Sequence, residues 1–306
     1  MQHTQVDIAI IGGGPAGLEA ALILARTRKK IVVFDSPEQP RNGASHGVHN
    51  FVGLDGLLPS EIREQAWKQI EVYDSAELRR EIVMDVQPVG EHQFSIVLEN
   101  SDPVTAKHVI LAAGFRNIYP DVSGFAECWG DSIIICPFCD GYENRDRVWG
   151  IVATSTRALE HMPKLSRNWT STAKILLSPD VPLSQEARHD LEQQGISVHE
   201  GDIVSIQHDS GKVNAVTLST GETVEVGTLI WGIDERPLTV TEKVIANFEL
   251  ELNERGYINV NPLHQTSVQG LWAVGDVLGW SGALGAAFQA SQAAFGIVGG
   301  WYGSDH

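Results

Sequence analysis

Two cysteines stand two residues apart in the segment Cys136-Pro137-Phe138-Cys139-Asp140-Gly141-Tyr142-Glu143. Thiols at this spacing can close a small disulfide ring when the second one starts a helix, and a helix N-terminus favours thiolate over thiol. Pro137 stiffens the ring and removes an N–H. Asp140 follows directly, placed to move a proton as the dithiol forms or opens. Structural zinc needs about four ligands. The chain has three cysteines and neither a second Cys-x-x-Cys nor a His-x-x-x-His, so no metal is expected. Cys128 matches no motif and reads as a buried, inert residue.

A second constellation lies near the N-terminus. The apolar run Val6 to Ile11 ends in Gly12-Gly13-Gly14-Pro15-Ala16-Gly17. Leu18 to Arg26 then reads as a helix, and Ile31 to Phe34 as a strand closed by Asp35. Glycines at 12, 14 and 17 allow a tight turn, close backbone approach to a pyrophosphate, and close helix–strand packing. The helix N-terminus offers unpaired N–H groups to phosphates. Asp35 sits where an acid accepts hydrogen bonds from ribose hydroxyls. Strand, helix, spacing and acid together predict a dinucleotide site.

These segments need a frame. A length of 306 residues suggests two domains. A second strand-turn-helix begins at Val148, and crossing points fall at 114–120 and 231–237. The expected fold is α/β: two three-layer Rossmann-like nucleotide-binding domains, the second inserted into the first. Residues 1–117 and 237–306 form the discontinuous first domain, and residues 118–236 the insert, which carries the cysteine pair. Residues 36–56 read as a long loop rich in Pro, Gly, Asn and His, and long loops inside compact domains are usually functional. Strands are expected near 82–89, 93–99 and 107–112, and again near 174–177, 196–199, 203–208, 213–219 and 228–231.

The formal charge of −17 argues against nucleic acid and against an anionic membrane surface as partners. The N-terminus has no basic segment before its apolar run, so no signal peptide is expected. Together with Cys-x-x-Cys chemistry this points to a reducing, cytoplasmic location. Val277 to Ser304 carries no charged residue. Its many glycines and Gln289, Ser291 and Gln292 favour a buried helix over a membrane span.

Further motifs give these features a family. Thr266-Ser267-Val268-Gln269-Gly270-Leu271-Trp272-Ala273-Val274-Gly275-Asp276 resembles the T-x-x-x-G-L-x-A-x-G-D signature of FAD-dependent pyridine-nucleotide disulfide oxidoreductases. Leu111-Ala112-Ala113-Gly114 is similar to the short A-T-G segment of that family, with Ala113 where Thr is usual. The cysteine segment resembles that of low-molecular-weight thioredoxin reductases, and more closely C-P-x-C-x-G-x-E of a related group that includes oxidases closing dithiols in small natural products. Arg41-Asn42 and His49-Asn50-Phe51-x-Gly53-x-Asp55-Gly56 look like flavin-proximal loops of that group. The resemblance implies FAD in the first site, held by Gly12, Gly14, Pro15, Ala16, Gly17, Asp35, Arg41, Asn42, Asn50, Ala113, Gly114, Gly275 and Asp276. It implies that Asp276 hydrogen-bonds the ribityl chain, that Cys139 faces the flavin, that Cys136 exchanges with substrate, and that Asp140 serves as acid/base. It also implies a homodimer and a dithiol or disulfide substrate, either a protein or a small molecule.

One region departs from the pattern. The second nucleotide turn reads Gly150-Ile151-Val152-Ala153-Thr154-Ser155-Thr156-Arg157. Ala153 and Ser155 replace turn glycines and add side chains where a pyrophosphate approaches the backbone. Leu176-Leu177-Ser178-Pro179-Asp180 stands where a basic cluster would bind a 2′-phosphate, and an acid there repels it. The reading is therefore an enzyme that does not use NADPH and works as a dithiol oxidase. The combination resembles pyridine-nucleotide-independent branches of the family, one of them diflavin-linked. A second FAD is placed at Ala153, Thr154, Ser155, Thr156 and Arg157, small or hydroxyl-bearing except for the cation. The alternatives are a ferredoxin- or NADPH-linked thioredoxin reductase, the first disfavoured by charge repulsion, and a non-catalytic flavin-binding scaffold or sensor.

Overall fold

The structure, a computed structural model, describes residues 5–90 and 92–303. The first apolar run forms β1 (Gln5–Ile11), with Ile8 to Ile11 all buried. Pro15 opens α1 (Pro15–Ala25), a position where its missing N–H costs nothing. Strand β2 (Ile31–Phe34) lies parallel to β1, Ile8 opposite Ile31 and Ile11 opposite Phe34. There follow α2 (Pro59–Ile70), β3 (Ala76–Arg79), β4 (Val83–Pro88), β5 (Phe94–Leu98), β6 (Val104–Leu111) and the crossing strand β7 (Phe115–Ile118).

The insert contributes α3 (Phe125–Cys128), β8 (Ile133–Ile134), α4 (Pro137–Asp140), β9 (Trp149–Ala153), α5 (Thr156–Ser166), β10 (Ala173–Leu177), α6 (Gln185–Gln193), β11 (Ser197–Glu200), β12 (Ile203–Asp209), β13 (Lys212–Leu218), β14 (Thr223–Glu225) and β15 (Thr228–Trp231). The chain returns through β16 (Asp234–Pro237), α7 (Thr239–Asn247), β17 (Leu271–Ala273) and α8 (Gly282–Gly303).

The main sheet of the first unit runs β3-β2-β1-β6-β5-β4, and β17 also pairs with β6. Strand β6 divides its outer edge: residues 104–106 pair with β5, and residues 109–111 with β17. Alternate residues of β1 serve opposite cores. Ile8 and Ile10 pack with α1 and α8, while Ala9 and Ile11 pack with β4, β5 and α7. Each such buried Ile contributes about 1.5–3 kcal/mol relative to exposure. Against α1 the inner face of α8 is small (Ala286, Ala290, Ala293, Ala294), which lets two helices approach closely. The outer face leaves Leu284, Phe288 and Phe295 exposed. No helix among the described residues is long and apolar enough to cross a membrane.

The insert is also three-layered. Its parallel sheet runs β11-β10-β9-β15-β8. Ile151, Ala153, Ile175 and Leu177 face α5 and α6, whereas Val152, Leu176 and Trp231 face the antiparallel sheet β12-β13-β14.

The chain groups into two compact units, and the division departs from the expected boundaries in one place. The first unit holds residues up to Gly43, Pro59–Arg116 and residues from Glu235; the second holds Asn117–Asp234 and also Ala44–Leu58. This loop closes on itself, with Val48 N–H donating to Leu57 O at 2.8 Å and Gly56 N–H to Val48 O at 2.9 Å. Gly130 of the insert packs on it so closely that a Cβ there would lie 2.5 Å from Ala44 O. Strand β3 was not expected either. Ala-Glu-Leu-Arg is made of helix formers, and only pairing with β2 holds it extended.

Candidate active site

The cysteine pair sits where a strand gives way to one helical turn. Cys136 is extended (φ −123°, ψ 115°) and precedes α4. Its carbonyl accepts from Cys139 N–H at 3.1 Å and from Asp140 N–H at 3.2 Å. The turn closes at Gly141, where a Cβ would fall 2.2 Å from Pro137 O, so a side chain is excluded. Beneath it lies Asn144, 2% exposed. Its Nδ2 donates to Asp131 O at 2.9 Å and to Asp140 O at 3.0 Å. Its Oδ1 accepts from Thr228 Oγ1 at 3.0 Å and Arg147 Nη1 at 3.2 Å, and its carbonyl from Trp149 Nε1 at 2.8 Å. A buried amide with every group satisfied ties the turn to β9 and β15. The sequence reading missed Asn144; its one signal is a lone amide four residues beyond Asp140.

The two thiols are not equivalent. A hydrogen bond from Cys139 pulls the Cys136 thiol down to about 7, against its burial; the N–H groups of Cys139 and Phe138 act in the same direction without closing as capping bonds. The same hydrogen bond, burial, and the charges of Cys136 and Asp140 push Cys139 far above the thiol range. Burial raises Asp140 to about 6, with Glu143 adding to the rise and His49 opposing it. A nucleophilic thiolate, a partner that prefers its proton, and a carboxyl titrating near neutrality stand together. Cys128 is fully buried, and burial raises its thiol.

Loop 44–58 adds to this unit. Asn50, at φ +64°, donates from Nδ2 to Phe138 O at 2.7 Å, and its N–H donates to Asp55 Oδ1 at 2.8 Å. The residue expected at the flavin thus holds the Cys-x-x-Cys backbone. His49 lies between Asp55 and Glu143. Phe138 between the thiols and Tyr142 just beyond them are each exposed by 64%, and Val52 of the loop by 98%.

The first unit holds the dinucleotide residues. Gly12 has φ +111°, and a Cβ there would lie 2.3 Å from Ala112 O; a Cβ on Gly17 would lie 1.8 Å from Gly12 O. These two glycines are required by the fold itself. Gly14 differs: a Cβ there would meet nothing within 4 Å. Its backbone is ordinary (φ −82°), so the polypeptide does not need glycine at this point. A ligand passing over the N-terminus of α1 does. Gly114, at φ +71°, also faces open space, and Ala113 packs against the strand core. The residues present therefore fit a dinucleotide.

Asp35 is 6% exposed and accepts from Gly13 N–H at 3.1 Å. Arg63 pairs with it, and Arg80 Nη1 lies 3.1 Å from its Oδ2. A Cβ on Gly13 would fall 2.4 Å from Asp35 Cγ. Gly13, Arg63 and Arg80 were not singled out from sequence. Pro15 and Ala16 form the first turn of α1, and Ala16 Cβ packs 3.1 Å from where a Cβ on Gly275 would stand. Gly275, at φ +77°, donates its N–H to Gln289 Oε1 of α8 at 2.7 Å. Burial raises Asp276, while Arg41, 3.0 Å from its Oδ2, lowers it; Arg41 also pairs with Glu235. Asn42 lies exposed beside them.

Two substitutions separate the roles of these glycines. Gly17→Ala is expected to destabilise the fold with or without FAD, by about 1–3 kcal/mol or more from overpacking. Gly14→Val is expected to lower apoprotein melting far less than Gly17→Ala does, since only the cap of α1 is affected, and to weaken FAD binding at least about tenfold, read by fluorescence titration of the apoprotein.

In the insert, Ala153 ends β9 fully buried, and Thr154, Ser155, Thr156 and Arg157 are exposed at the start of α5. Ser155 is the N-cap residue, but its side chain makes no capping bond. On the other face of the sheet a cavity of about 210 Å³ is lined by Val122, Val152, Thr154, Leu176, Asp202 and Trp231. Ser178 Oγ donates to Asp202 Oδ1 at 2.7 Å, so a second acid stands at this sheet end.

Known proteins place these features. The family model for pyridine nucleotide-disulphide oxidoreductases matches residues 6–294. A thioredoxin reductase of Claviceps purpurea, tcpT, is 30% identical over 286 residues, covering 89% of this chain and 86% of that protein. The Bacillus subtilis thioredoxin reductase is 27% identical, over 89% of this chain and 86% of its own length. The crystal structure of HlmI superimposes with a TM-score of 0.90 at 30% identity, covering 98% of this chain and 94% of that one. The glycine turn, the Gly275-Asp276 turn and the Cys-x-x-Cys helix fall within the matched span, and the chain belongs to the pyridine nucleotide-disulphide oxidoreductase family as a thioredoxin reductase-like FAD oxidoreductase acting on sulfur groups.

Proposed function

We propose that the protein is a dithiol oxidase in which Cys136 and Cys139 cycle between disulfide and dithiol, Asp140 moves the proton, and no NADPH is required. The observation that carries the reading is a contrast between two turns. The dithiol turn is complete and asymmetric. The nucleotide turn of the insert has Ala153 and Ser155 in place of glycines, with Asp180 and Asp202 at the sheet ends that follow.

The residues support the following sequence. A substrate thiol loses its proton to Asp140 while its sulfur attacks Cys136 Sγ. The Cys136–Cys139 bond breaks, and Cys139 leaves with the electron pair. Because its thiol lies far above the usual range, Cys139 then takes the proton from Asp140. The second substrate thiol then gives its proton to Asp140, free again, as its sulfur attacks the substrate sulfur of the mixed disulfide and releases Cys136 as a thiolate. The substrate departs oxidised by two electrons. Bound FAD supplies the acceptor for the two electrons now held by the dithiol. Val52, Phe138 and Tyr142 favour a substrate with an apolar body, and the exposed apolar face of α8 supports pairing of two copies. Anaerobic addition of dithiothreitol is expected to bleach the flavin. A flavin that stays oxidised under excess dithiol overturns the proposal.

The reading extends to a second FAD at Ala153–Arg157. It is supported by exposed hydroxyls and one arginine at the N-terminus of α5. Flavin released by heat and counted against protein is expected near two per chain under saturating FAD. A ratio of one removes the second site and leaves the first untouched.

A further inference from the structure

At one edge of the first sheet two strands finish side by side. Asp35, the residue after β2, donates its N–H to the carbonyl of Arg79, the last residue of β3, at 2.9 Å. Arg80 therefore emerges beside Asp35, at the carboxyl edge of the parallel strands, where nucleotides bind in folds of this type. Helix α2 presents Arg63 and Trp67 to this edge, one turn apart on one face. Arg63, its side chain 12% exposed, pairs with Asp35 Oδ2, and Arg80 Nη1 reaches the same oxygen at 3.1 Å. Asp35 Oδ1 accepts from Gly13 N–H at 3.1 Å. The protein itself thus fixes the carboxylate through both oxygens, and Oδ1 keeps acceptor capacity for a ribose hydroxyl.

Arg80 differs from Arg63 in its surroundings. Its Cζ stands 5.5 Å from the centroid of the Trp67 ring. Its side chain is nonetheless 60% exposed. Trp67 itself is packed on the core shared by α1 and α8, so it is a fixed backing. A guanidinium held by a carboxylate and backed by an indole is a flat, immobilised cation with open surface left over. Such a plane takes aromatic rings by stacking and by cation–π attraction. We propose that Arg80, backed by Trp67, is the platform on which the adenine of FAD rests. Adenine is bonded to the ribose that Asp35 receives, so the base lies one sugar away from the acid that Arg80 touches. FAD carries no phosphate on that ribose, and Arg63 already neutralises Asp35. A second arginine therefore has no further charge to meet at this point, but it has an aromatic ring to meet. The inference concerns the cofactor site alone and does not depend on the proposed dithiol reaction.

The test reads binding, not turnover. Apoprotein is titrated with FAD by flavin fluorescence, and with ADP, the adenosine part alone, by its competition with FAD. Arg80→Ala and Arg80→Lys are each expected to weaken both ligands by about fivefold or more. Lysine keeps a cation for Asp35 but lacks the plane, so it separates the platform from the ion pair. Apoprotein melting is expected to stay unchanged, because Arg80 is exposed and Arg63 still holds Asp35. The visible spectrum of the FAD-saturated variants is expected to match that of the wild type, since the flavin is the other end of the dinucleotide. Wild-type FAD affinity in Arg80→Lys makes Arg80 a charge partner of Asp35 only and overturns the inference. Loss of FAD affinity with ADP affinity unchanged also overturns it, as does an altered flavin spectrum, which marks a general distortion of the site. None of these results bears on flavin bleaching by dithiols, which tests the proposed function separately.

Discussion

Cys139→Ser is expected to accumulate a mixed disulfide between Cys136 and a monothiol added as its disulfide, visible as a mass increment equal to one monothiol unit. Cys136 has the lowered thiol and Cys139 the raised one. In the reverse direction attack on a disulfide therefore belongs to Cys136, and resolving the mixed disulfide belongs to Cys139 when the bound molecule has no second thiol of its own. With serine at 139 a monothiol added as its disulfide is captured and held. Cys136→Ser is expected to capture much less, because burial and the Asp140 charge still raise the Cys139 thiol once its contact with Cys136 is gone. Both variants should lose dithiol-dependent turnover by roughly three orders of magnitude or more, the usual consequence of removing a nucleophile or its leaving group. Folding should be unaffected, since Asn144 and Gly141, not the thiols, hold the turn. Capture by Cys136→Ser alone reverses the assignment.

Anaerobic reduction of the flavin by NADPH is expected to be at least about a hundredfold slower than by a small dithiol, a difference of about 3 kcal/mol in barrier. Ser155, the N-cap of α5, puts a side chain where Gly14 leaves the N-terminus of α1 open to a pyrophosphate, while Ala153 is buried in the core of the insert. Past β10 the charges have the wrong sign for a 2′-phosphate: Asp180 is exposed, and Asp202 is held by Ser178. Stopped-flow traces at equal reductant concentration separate the cases. Comparable rates for the two reductants would make the protein an NADPH-linked reductase. The expected dithiol rate also has a pH signature. The base form of Asp140 exists above about 6, so the rate should rise through that pH; Cys136 lies in the disulfide when the dithiol attacks and adds no titration to that step.

Much of this site was legible in the sequence where the chemistry is local. Gly12, Gly17, Pro15 and the strand ending at Asp35 belong to one β-α-β unit, and the constraints on them act over a few residues. Cys136, Cys139 and Asp140 share one helical turn. Contacts set by long-range packing were not legible. Nothing in Ala76–Arg79 announces a strand, because its conformation comes from β2. Asn50 and His49 were read as flavin-loop residues from their motif; their contacts with Phe138 and Glu143 could not be read that way, because a loop's partners depend on where it folds back. Asn144, Arg63 and Arg80 are ordinary polar residues in sequence. They matter because packing buries the amide and points both guanidinium groups at Asp35.

The contact between Gly13 and Asp35 makes these two positions a single inherited character. A side chain at 13 collides with the carboxylate at 35, and the carboxylate takes its hydrogen bond from the backbone at 13. Among descendants of this sequence, alanine or serine at position 13 requires the Asp35 side chain to move or shorten. The two sites are therefore expected to vary together although the usual glycine fingerprint leaves position 13 free, and a search for relatives with altered ribose preference can start from that pair.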